Sequence, residues 1–98
     1  MNDRAELGEL SPDELKARER VAYSHAERTE DWCYFQLMRA STLRREMARI
    51  DIGSPAHIQA RLEREAALDA ARHHLSNLRA WGHAPSEVIQ ALALSEGV

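Results

Sequence analysis

From Ser11 to Gly53 the chain is one helix-permissive tract: its only proline, Pro12, stands at the start and no glycine interrupts it. Ala, Arg, Glu, Leu and Met dominate the tract, so local preference does not oppose a helix for long. A helix from Pro12 to Asp51 would be about 60 Å long at the α-helical rise. A compact domain of similar length has a radius of gyration of only about 13 Å. Such a rod cannot be wrapped by the 98 residues available. In its middle, Trp32-Cys33-Tyr34-Phe35-Gln36-Leu37-Met38 is apolar almost all round, and a helix of that kind is normally enclosed on more than one side. Together these features predict an elongated helical protein that pairs with a second copy of itself.

The punctuation of the chain places the helices. Leu10-Ser11-Pro12-Asp13-Glu14-Leu15 reads as a capping box: Ser11 is the N-cap, Pro12 the first helical residue and Glu14 the reciprocal acid, with Leu10 and Leu15 as a hydrophobic staple. Gly53-Ser54-Pro55 stops the first helix and caps the second, which predicts an antiparallel hairpin. The second helix runs from Pro55 to Trp81, ahead of Gly82, and a short third one from Pro85 to about Ser95. Residues 1–10 read as a flexible N-terminal arm and residues 11–98 as a single all-α domain, with helices over about 12–51, 55–81 and 85–95 and a dimeric helical bundle as the assembly.

The inner faces follow from helical spacing. A coiled-coil-like seam runs through Leu15, Ala22, Ala26, Thr29, Cys33, Gln36, Ala40, Leu43, Met47 and Ile50. The second helix carries two apolar faces, one with Ile58 and Leu62, the other with Leu68, Ala71, Leu75 and Leu78, and so asks for two neighbours. The first helix is one neighbour. The other is the third helix, through Val88, Ile89 and Leu92, or a second subunit. Charge is polarised as well: residues 1–31 hold nine acids and five bases, whereas residues 32–53 hold four arginines against two acids. Antiparallel self-packing would set acidic half against basic half.

A net charge of −3 argues against a general nucleic-acid or membrane-surface binder. No apolar run reaches the ~20 residues of a transmembrane span, a lone Cys33 can make no intrachain disulfide, and the opening residues have no signal-peptide core, so a cytoplasmic protein is expected. Buried in the apolar belt, Cys33 is a small hydrophobe and a poor nucleophile.

Motifs for chemistry are sparse. Glu65, Asp69 and His73 fall four residues apart on one stripe and are the candidate metal-ligating or acid–base set. Ser24-His25-Ala26-Glu27-Arg28-Thr29 resembles the phosphate-accepting box of sensor-kinase dimerisation domains, but that family places an acid directly after the histidine and a proline after the threonine, where this chain has Ala26 and Glu30. A long, a medium and a short helix are also similar in layout to small helical chorismate mutases; that resemblance would gather Arg18, Arg28, Arg39 and Arg45 in a dicarboxylate pocket, although none of the family's motifs aligns residue by residue.

The sequence thus reads as a small non-catalytic interaction module, an adaptor, inhibitor or regulator. It would act as a homodimer toward an unidentified protein partner and need no cofactor. Trp32, Tyr34, Phe35, Met38, Met47 and Trp81 are its expected interface residues. The alternative is a helical-bundle enzyme or metal-binding oligomer with Glu65, Asp69, His73 and nearby arginines lining its interior.

Overall fold

The computed structural model describes residues 11–98, apart from the side chain of Ala22. The arm over residues 1–10, and with it the Leu10 half of the staple, lies outside the described residues. Three helices and no strand occur among those described: α1 (Pro12–Met47), α2 (Pro55–Ala80) and α3 (Glu87–Ser95).

The α1 cap forms as its residues dictate. The Ser11 Oγ accepts from the Glu14 N–H (3.2 Å) and Glu14 Oε1 accepts from the Ser11 N–H (2.9 Å), satisfying two donors that the helix itself leaves open. These bonds hold the Glu14 carboxyl below its usual range. At the other end α1 stops at Met47, four residues short of the expected Asp51. Beyond Ala48 the ladder tightens to three-residue bonds, Arg49 N–H to Glu46 O (2.9 Å) and Ile50 N–H to Met47 O (3.3 Å). Ile50 and Ile52 are β-branched and lose side-chain freedom in a helix, so the reversal spreads over residues 48–53. Gly53 supplies the left-handed step (φ 84°), and Ser54 caps α2 by accepting from the His57 N–H (3.2 Å). In α3 the cap is Ser86, which accepts from the Ile89 N–H (3.4 Å); Pro85 therefore precedes the helix instead of opening it.

The hairpin is antiparallel. Cys33 lies against Ala71, Arg39 against Glu63 and His25 against Trp81. The inner face of α2 is Ala60, Ala67, Leu68, Ala71, Leu75 and Leu78, small near the turn and larger toward the open end. Against it α1 sets Ala26, Cys33 and Leu37 in one cluster and Ala40 in a second. Most of the expected α1 seam is inside: Ala26, Cys33, Ala40 and Leu43 are buried, and Thr29, Gln36, Met47 and Ile50 half-buried. Leu15 is exposed, because α1 extends past the end of α2 there.

The third helix departs from the expected arrangement. It packs against α1 and runs parallel to it, tied at its start by Glu30 and at its end by Arg44. Ile89 and Ala93 enter the cluster around Leu75 and Leu78, with Leu92 at its edge, but Val88 points outward. The described residues measure 69 × 24 × 15 Å with a radius of gyration of 19.4 Å, the elongated body that the first helix demands.

Candidate protein interface

At about 100° per residue, successive positions around Trp32 point in different directions, and α2 and α3 together cover only one side of α1. Cys33 and Leu37 take that side and are fully buried. Trp32, Phe35 and Tyr34 do not; they are 58%, 52% and 44% exposed. Trp32 and Phe35 meet edge to face with ring centroids 6.1 Å apart, a favoured aromatic geometry that holds both rings on the outer surface. Beside them Phe35, Met38, Arg39, Thr42 and Leu43 line a shallow groove of about 400 Å³.

The six expected interface residues thus separate. Trp32, Phe35 and Met38 share the outer face of α1, with Tyr34 on its flank. Met47 is half-buried at the hairpin bend, near Arg44 and His57. Trp81 caps the far end of α2, half-exposed, with its ring 4.9 Å from that of His25. Together with Val21, Tyr23 and His83 these two rings border a largely apolar groove of about 750 Å³ at the open end of the hairpin. His25, the residue compared with a phosphate acceptor, is thus an aromatic neighbour in that groove.

Glu65, Asp69 and His73 lie on the exposed side of α2, not in the bundle interior, because the opposite face is the one with the apolar residues. Asp69 accepts from Arg72 Nη1 (2.9 Å). Among the described residues no three His, Cys, Asp or Glu side chains converge as a metal site. His74 is held below the usual histidine range by burial and by neighbouring His73. Burial, with a smaller push from Glu30, raises the Cys33 thiol to about 11, and its Sγ lies 3.8 Å from the Ala71 carbonyl. The four arginines compared with a dicarboxylate pocket are spread along α1: Arg18 and Arg28 line different grooves, Arg39 pairs with Glu63 (3.3 Å), and Arg45 reaches back to Ser41 (2.8 Å).

Two polar clusters escaped the sequence reading. Glu96, just past α3, has a side chain only 1% exposed and is clamped by two helices. Arg44 donates from Nε and Nη2 to its two oxygens (3.2 and 2.9 Å), and Arg64 Nη2 donates to Oε1 (3.0 Å). Chiefly the Arg44 hydrogen bonds, with that of Arg64 and against desolvation, hold its carboxyl below the usual range. The Arg64 Nε is buried without a partner in this arrangement. Glu30 accepts from the Ser86 N–H (2.8 Å) and lies 3.6 Å from His83 Nε2, joining α1 to the loop before α3. Spacing carried a signal for the first cluster: Ile89, Ala93 and Glu96 share one helical face, and an acid on a buried face requires a cation.

No protein-family model matches the chain, and no curated protein or solved structure is significantly similar to it.

Proposed function

We propose that this protein is a small, non-catalytic interaction module that works as a helical homodimer and presents its surface to another protein as an adaptor, inhibitor or regulator. The observation that carries the reading is the outer face of α1, where Trp32, Phe35 and Tyr34 remain about half exposed after all three helices have packed. Aromatic residues supply large contact area at little rotamer cost and dominate the energetics of interfaces. Exposed together at the centre of a rod, they form an apolar patch of the kind that marks an association site. The groove at the open end of the hairpin, around Tyr23 and Trp81, is a separate surface for the partner protein.

Sedimentation velocity at micromolar concentration tests the self-association: the wild type is expected at twice the protomer mass and Phe35→Asp at the protomer mass, with equal helical circular dichroism. A wild-type protomer that sediments alone overturns the homodimer. For the partner, affinity capture from the native host should retain a protein that Trp81→Ala loses. Stoichiometric iron or zinc in the purified wild type would instead favour a metal-binding oligomer.

A further inference from the structure

Resting on the homodimer reading, the outer face of α1 also specifies how two copies meet. Phe35, Met38, Arg39 and Thr42 are spaced i, i+3, i+4 and i+7, the four corners of a hole on a helix surface, and the structure shows a groove lined by these residues. One turn before the hole stands Trp32, an exposed knob whose ring leans on Phe35. We infer that two copies pair antiparallel through α1 about a twofold axis at Phe35, each inserting Trp32 into the partner's Phe35–Met38–Arg39–Thr42 hole.

Symmetry makes the register specific. In an antiparallel pair centred on Phe35, residues equally far from it face each other. Trp32 and Met38, each three positions away, come together, which sets the indole in the hole. Asp31 and Arg39, each four positions away, come together as well; both are exposed, and the Arg39 guanidinium, which holds Glu63 of its own chain through Nη2 (3.3 Å), keeps its other N–H donors for the partner's Asp31, a contact that the twofold axis repeats. A parallel pairing would set Asp31 against Asp31 and Arg39 against Arg39, a like-charge juxtaposition that disfavours that register. Residues 23–31 of α1, with three acids and one base, then face residues 39–47 of the mate, with three arginines and one acid; of these, Glu30 and Arg44 are already paired within their own chain. The contact is isologous and closes on two copies; in this register the bend of the partner's hairpin, residues 47–53, lies alongside residues 17–23 of α1, next to the groove at the open end.

Cross-linking tests the register with surface substitutions that leave the core alone. Asp31→Cys and Arg39→Cys chains are prepared separately, then oxidised alone and mixed. The expected result is a disulfide-linked dimer from the mixture, little from either chain alone, and none from the wild type, whose buried Cys33 serves as control. A second arm reverses charges in a Glu63→Gln background, which removes the intrachain partner of residue 39: there D31R and R39D should each weaken dimerisation at least fivefold, and the double variant should return to within about twofold of the Glu63→Gln parent. Efficient self-linking of Asp31→Cys, or a wild-type dimer whose mixed chains do not link, overturns the register while leaving self-association standing. A wild-type monomer in sedimentation overturns both.

Discussion

Glu96 shows how a single buried acid can fasten two helices. Its carboxylate is almost wholly enclosed, yet two guanidiniums reach it from α1 and α2, so the charge is compensated at the place where it is desolvated. Removing one partner of a buried pair costs about 3–5 kcal/mol. Arg44 is half-exposed and regains water when released, so Glu96→Gln is expected to cost less, about 2 kcal/mol, in urea unfolding. The pH dependence has a definite sign. The folded-state pKa of Glu96 is depressed, so its contribution is complete above the unfolded carboxylate value near 4.5 and is lost as pH falls through the lower folded value. The wild-type melting temperature should therefore drop more steeply below pH 4.5 than that of Glu96→Gln, and parallel curves would show that Glu96 carries no linkage. Leu37, fully buried beside Leu78, provides the apolar comparison: Leu37→Ala should cost about 2–5 kcal/mol and leave the acid limb of the pH profile unchanged. Leu37 was legible in the sequence as part of the belt. Glu96 was not, because its meaning depends on arginines 52 and 32 positions away in the chain.

At the level of elements, the helix starts are set by local bonds and the seat of α3 by distant ones. Ser11, Gly53 and Ser54 mark boundaries through local backbone geometry and bonds within four residues, so sequence alone located the start of α1, the left-handed step at Gly53 and the start of α2. The placement of α3 is a tertiary outcome. Nine residues are too few for a helix that is stable by itself, so α3 depends on its seat along α1. Glu30 is central to that seat, since it receives the Ser86 N–H at the very residue that caps α3. Glu30→Gln keeps the shape but removes the charge that strengthens this bond. Hydrogen exchange should then quicken across residues 87–95 while the buried stretch of α1 around Leu37 keeps its protection. Uniform acceleration throughout the chain would mean that α3 and the hairpin open as one unit, and unchanged exchange would mean that Glu30 does not anchor α3.

For the molecule as a whole, the same rod that made the architecture legible explains why the site was only partly so. Helical periodicity identified the Trp32–Met38 belt and set Cys33 in the inner seam, but it did not separate Leu37, which also turns inward, from Trp32, Tyr34 and Phe35, which stay outside. Met47 and Trp81 were grouped with them by residue type and lie instead at opposite ends of the hairpin. A narrow three-helix body leaves one side of α1 bare, and covering that side with a second copy ties stability to concentration. If folding and pairing are linked, each tenfold rise in protein concentration adds about 1.4 kcal/mol, which for two chains melting together corresponds to about 3–6 °C in melting temperature. Phe35→Asp places a charge on the proposed axis and should abolish that dependence, its melting temperature staying constant from 1 to 100 µM on the order-of-magnitude scale of this linkage. If the wild type also melts at a constant temperature across that range, and sediments as a protomer throughout it, the bare face of α1 is not a self-contact. The aromatic patch would then belong to a partner of different sequence, and Asp31 beside Phe35 would be matched by a charge on that protein, while Arg39 keeps Glu63 of its own chain.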